Sequence, residues 1–124
     1  MDIGETLYVT SRREWRRWLA HHHRHKNEIW LIFYKKATGT PSISYDASVE
    51  EAICYGWIDG QLKSIDQGKF ARRFTPRERR STWSNSNLAR ALRMLRAGKM
   101  TKAGKVLLPD KVLGLHKPPE PPHE

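Results

Sequence analysis

The 124 residues contain one cysteine, Cys54, so no disulfide within the chain can hold this domain together, and a reducing compartment suits it. Long apolar runs are missing too. No stretch of about 18 apolar residues, the length that spans a bilayer as a helix, occurs anywhere. The opening Met1-Asp2-Ile3-Gly4-Glu5 lacks the charged start and apolar run of a secretory signal. These absences predict a cytoplasmic protein without membrane insertion. No phosphate-binding glycine loop, dinucleotide fingerprint, zinc spacing or Ser/His/Asp set can be traced, so no catalytic residue, cofactor or metal ligand is assigned.

The apolar share is low, 38%, but five Trp, four Tyr and three Phe can each remove a large area from water, and a chain of this length builds one core. Acidic residues are scarce in one part only. Residues 1 to 71 carry a net charge of +1 and residues 72 to 124 carry +9. Such asymmetry favours an anionic partner through long-range attraction, although it also serves solubility.

Ser11-Arg12-Arg13-Glu14 has capping-box spacing, so a helix is predicted from there. Trp15, Trp18, Leu19 and His22 recur at helical intervals, and the His21 to His25 cluster ends the pattern. The run Glu28 to Lys35 is aromatic and β-branched, which predicts a central strand buried on both faces. A second helix is expected from Ser44 or Asp46, with Val49, Ala52 and Ile53 on its apolar face and Gly56 as its stop. Trp57 to Ser64 and Lys69 to Thr75 flank Asp66-Gln67-Gly68 and predict an antiparallel hairpin. Ser84 is a candidate N-cap for a helix with Leu88, Leu92 and Leu95 on one side and Arg90, Arg93 and Arg96 on the other. Gly98 ends that helix and a short one follows Thr101. Residues 1 to 108 form the domain and 109 to 124 a Pro-rich disordered tail, with Pro109 closing the ordered part. The order helix, strand, helix, hairpin, helix, short helix makes an α+β fold, a small, mostly antiparallel sheet packed against helices.

Several strings carry a resemblance. Trp30-Leu31-Ile32-Phe33-Tyr34-Lys35-Lys36, Ser42-Ile43-Ser44-Tyr45, Val49-Glu50-Glu51-Ala52 and Gly56-Trp57-Ile58-Asp59-Gly60-Gln61 come first. Arg73-Phe74-Thr75-Pro76-Arg77, Trp83-Ser84 with Asn87, and Gly98-Lys99-Met100-Thr101-Lys102-Ala103-Gly104 follow. In this order the set resembles the front portion of the YdeI/OmdA family (bacteriocin-protection, YdeI or OmpD-associated proteins), across about residues 10 to 104. The resemblance implies a stress-protection role linked to bacteriocin or cationic antimicrobial-peptide tolerance, and it brings no catalytic residues. Longer members continue into a Lys- and Arg-rich helical module, where this chain has its Pro-rich tail.

Asp59 lies between Ile58 and Gly60 on a predicted strand, where an acidic residue is poorly suited and needs compensation. It is a candidate ligand-orienting carboxylate or general base. Structurally, it can accept backbone N–H groups or pair with an arginine such as Arg73. Arg72, Arg73, Arg77, Arg79 and Arg80 precede a helix N-terminus, a combination that binds anions. Ser84 and Asn87 add hydrogen bonds and Trp83 a stacking face; the plainer reading has a cap, a core residue and solvated arginines. The candidate ligand-binding set is therefore Trp57, Asp59, Gln61, Arg73, Arg77, Trp83, Ser84 and Asn87, in one cleft for an unidentified anionic ligand or protein partner. Nucleic acid on the Arg90, Arg93, Arg96 face is the alternative, and an enzyme using Asp59 a third reading. The histidines read as a polar helix end, because adjacent helical residues diverge, and Cys54 as a small core residue.

Overall fold

A computed structural model describes residues 2–116. In chain order its elements are β1 (Thr6–Leu7), α1 (Arg12–His22), β2 (Ile29–Tyr34), α2 (Tyr45–Cys54), β3 (Trp57–Ser64), β4 (Lys69–Pro76), α3 (Asn85–Arg96), α4 (Lys102–Lys105) and α5 (Asp110–Leu115). The strands make one four-stranded sheet in the order β1-β2-β4-β3, antiparallel except between β1 and β2. This is the α+β architecture expected from the sequence.

Side chains alternate across a strand, and β2 shows what each face of the sheet meets. Ile29, Leu31 and Phe33 point to the helices and join Phe74, Trp57, Trp15 and Leu19 in the main core. Trp30 is buried on the opposite face, opposite Arg73 of β4, so this strand is covered on both sides at its start.

Short-range chemistry sets the helix ends. Ser11 Oγ accepts from the Glu14 N–H and caps α1, while the Glu14 carboxylate reaches back one residue further than a capping box requires, to the Thr10 N–H and hydroxyl. Ser44, Ser84 and Thr101 cap α2, α3 and α4 in the same way. Gly56 and Gly98 follow α2 and α3 with φ of 77° and 70°, a conformation that glycine adopts without a Cβ penalty. Asp66 Oδ1 accepts from the Gly68 and Lys69 N–H groups and shapes the hairpin turn.

α2 departs from its expected single apolar face. Every residue from Ala47 to Cys54 is buried, Ser48, Glu50 and Glu51 included, because α1, α3, α4 and β3 all pack around this one helix. The carboxylates are compensated. Glu51 accepts from Arg12 Nη1 and Arg16 Nη1, both at 2.9 Å, and Glu50 from Arg12 Nη2 and Arg93 Nε, both at 3.0 Å. α4 approaches the end of α2 so closely that a Cβ on Gly104 would lie 2.4 Å from the Cys54 carbonyl oxygen, which already accepts from Thr101.

Two expectations are corrected. β1 has no counterpart in the sequence reading, being two residues long and held by a non-local parallel pairing with Trp30 and Leu31. Order also does not stop at Pro109: α5 follows, and its Val112 is buried in a second core cluster with Met94, Leu95, Met100 and Leu108. The rest of the proposed tail, Lys117 to Glu124, lies outside the described residues. Among the described residues no helix is long and apolar enough to cross a membrane.

Candidate functional site

The hairpin carries Asp59 on the helix-covered face of the sheet, opposite Phe74. Between Asp59 and Leu62 the register slips, so that three steps on β3 match two on β4, a bulge that re-aims the side chains around it. Asp59 Oδ2 accepts from the Tyr45 hydroxyl at 2.8 Å and stands 3.6 Å from Arg72 Nη1. Burial, then the hydrogen bond to Asp59, raises the Tyr45 pKa. The guanidinium carbons of Arg72 and Arg90 lie 4.7 and 5.5 Å from the centre of the Tyr45 ring, within cation–π range. Arg90 is further held by Asp46 Oδ1 at 2.5 Å and by Asn87 Oδ1 at 3.0 Å.

Arg77 follows at the end of β4. Its backbone N–H donates to the Gly56 carbonyl and closes the β4 end against the α2 stop. The side chain is only 6% exposed, lies 3.8 Å from the Trp83 ring centre, and donates through Nη1 to Ser81 Oγ and the Thr82 carbonyl. Its Nε and Nη2 have no acceptor among the described residues, and neither have Arg72 Nε and Arg90 Nε. Burial lowers the Arg77 pKa while the field of Asp59 opposes the shift. Arginine stays charged regardless, so the direction records a buried cation that the Trp83 ring and its bonds to Ser81 and Thr82 offset incompletely.

The sequence-derived set divides. Arg77 is in the field of Asp59 and Trp83 stacks on it, while Ser84 caps α3 and Asn87 holds Arg90, which lies over Tyr45. Arg73 and Gln61 are elsewhere. One step along β4 from Arg72, Arg73 points to the opposite face, where its Nε donates to Glu28 and where Arg73, Gln61, Glu28 and Trp30 line a separate pocket of about 210 Å³. Asp59 therefore pairs with Arg72 and not with Arg73, and a single cleft containing all eight residues does not exist. Trp57 is 1% exposed and packs edge-on against Trp18 in the core, which leaves it no ligand surface. Tyr45 has no signal in the sequence, and Arg72 and Arg90, expected in the basic segment and on the basic α3 face, meet at its ring. A hydrophobic or charge pattern cannot show that the first residue of α2 will meet a strand 14 positions on.

The remaining candidates are also placed. Arg90 and Arg93 of the basic α3 face are engaged by Asp46 and Glu50. His21 and His23 each donate through Nδ1 to a carbonyl four residues earlier, and His22 lies against Trp18. Burial, above all, pushes the Cys54 thiol up to about 11. A thiol-specific disulfide reagent is therefore expected to leave Cys54 unmodified in the folded protein and to label it once denaturant is added; rapid labelling of the native chain would overturn its burial.

A family model described as a domain of unknown function (DUF8412) matches residues 7–106. Comparison with curated proteins and with solved structures gave no match.

Proposed function

The chain belongs to the DUF8412 family, whose description names no chemistry, and we propose from its own arginine cluster that it is a non-catalytic binding protein for an anionic ligand. The observation that carries this reading is a set of buried arginine nitrogens without an acceptor among the described residues: Arg72 Nε, Arg90 Nε, and Nε and Nη2 of the buried Arg77. Arg72 and Arg90 lie over the Tyr45 ring and Arg77 is in the field of the same Asp59, so three guanidiniums share two carboxylates, Asp46 and Asp59, and the N-terminus of α3 adds a positive end. An anion at the exposed side of Tyr45 offsets that surplus through Arg72 and Arg90. A reducing, cytoplasmic setting accords with the buried free thiol. The stress-protection role suggested by the YdeI/OmdA resemblance then acts through another component, since a cationic protein repels cationic peptides.

Trp83 lies on Arg77, so intrinsic fluorescence provides the test. Citrate, pyrophosphate, single-stranded RNA and duplex DNA are titrated at low and physiological salt. The expected result is a saturable response to a small polyanion that persists at physiological salt. It weakens by about tenfold in Arg72→Lys, which keeps the charge and loses the fork, and is unchanged in Arg73→Lys on the opposite face. Binding confined to nucleic acid and collapsing with salt would replace this reading with the nucleic-acid one; silence across the anions would overturn it in favour of a protein partner.

A further inference from the structure

Tyr45 belongs to two environments. Besides meeting the arginines, it walls a cleft of about 540 Å³ on the helix side of the sheet, with Phe33 and Phe70 below and Lys35, Lys36 and Ser42 around it. The topology explains why this part of the sheet is open. α2 begins at Tyr45, and the connection from Lys35 to Ser44 contains only one short 3-10 turn, so beyond the strands the cleft is lined by that connection and the first residue of α2. Phe33 and Phe70 sit opposite each other in the β2–β4 register, with rings 5.4 Å apart and stacked within 9° of parallel, so the buried Phe33 backs the partly exposed Phe70, which forms the apolar floor. The wall is held in place by the Tyr34 N–H, which donates to Ser42 Oγ at 2.7 Å.

Charge and position give the cleft its selectivity. Its lining carries two lysines and no carboxylate. Arg72 is two residues from Phe70 on β4, so it stands on the same face beside the floor. Small-ligand sites combine mostly apolar walls with a few convergent polar groups, at about 300–1,000 Å³, and this cleft fits that description.

Resting on the anion-binding reading, we infer that the cleft holds a flat aromatic ring of purine or naphthalene size whose acidic group points to Arg72 beside Tyr45. The ring lies on Phe70 and against the Tyr45 wall, and Lys35 and Lys36 draw the anion in from solution. Neither a bare anion nor a neutral ring uses both halves.

Amide NMR spectra of the isotopically labelled full chain, titrated with AMP, naphthoate, adenosine and inorganic phosphate, test this directly. AMP and naphthoate are expected to shift the amides of Phe33, Lys35, Ser42, Tyr45 and Phe70, and to bind about tenfold or more tightly than adenosine or phosphate. Phe70→Ala should abolish that advantage. Lys36→Glu, at an exposed position that cannot disturb the core, should weaken both acids and leave the spectrum otherwise native. If phosphate binds as well as AMP and neither variant matters, the aromatic cleft is wrong while the anion site stands. If adenosine equals AMP, the acidic requirement is wrong. No response near Tyr45 and Arg72 to any anion would overturn both readings.

Discussion

Trp15→Ala is expected to destabilise the protein by about 4 kcal/mol, the middle of the range for deleting a large buried aromatic side chain. Trp15 is fully buried. It stacks on Trp18 at 5.5 Å, meets Phe74 edge-on at 5.2 Å and donates its indole N–H to the Ser48 carbonyl at 2.9 Å. One side chain thus joins α1 to β4 and to α2, and its loss both opens a cavity and removes a donor from a buried carbonyl. Chemical denaturation should show a lower midpoint with an unchanged slope. Trp15→Phe, which keeps ring contact and loses the hydrogen bond, should cost about half as much. A loss below about 1 kcal/mol for the alanine variant would mean that α1 does not close on the sheet as described. Since small domains are stable by only about 5–15 kcal/mol, the variant should fold marginally.

Glu51→Ala should cost about 3 kcal/mol, at the lower end of the range for breaking a buried ion pair, because Arg12 and Arg16 are partly exposed and regain some hydration. Burial alone would lower both arginine pKa values, but the hydrogen bonds to Glu51, joined for Arg12 by Glu50, outweigh it and raise them. A raised cation contributes its stability below its unfolded pKa, far above neutrality for arginine, so this share is constant through the physiological range. The double variant Arg16→Met/Glu51→Leu should be less destabilised than Glu51→Ala, since an apolar pair leaves no unpaired charge behind. Urea midpoints of the three proteins, at two salt concentrations, check both claims. If the alanine variant loses no stability, or loses it only at low salt, the network is a screened surface contact and not a buried clamp.

Those two residues show how differently parts of the molecule could be read. The Trp15 stripe follows from helical spacing, and Ser11, Ser44, Ser84 and Thr101 announce their helices because a cap is chemistry between neighbours. The burial of Glu50 and Glu51 had no such signal. A carboxylate pair on a helix ordinarily faces water, and only the convergence of α1 and α3 on α2 brings Arg12, Arg16 and Arg93 to it. The candidate site divides along the same line. Arg77 and Trp83 are close in sequence and meet in the structure, whereas sequence alone does not separate Arg72 from Arg73. Those neighbours lie on opposite faces, and the choice depends on strand register and on the bulge after Asp59.

By itself the sequence determined the α+β class, the helix starts, the hairpin and its turn, and the concentration of cations beyond Arg72, because each depends on residues a few positions apart. Tertiary structure alone decided that β1 pairs with β2, that α5 continues the core past Pro109, that α2 is surrounded on all sides, and that Tyr45 meets Asp59, Arg72 and Arg90. Each of these rests on contacts between distant segments, whose partners are chosen by packing and register rather than by local preference.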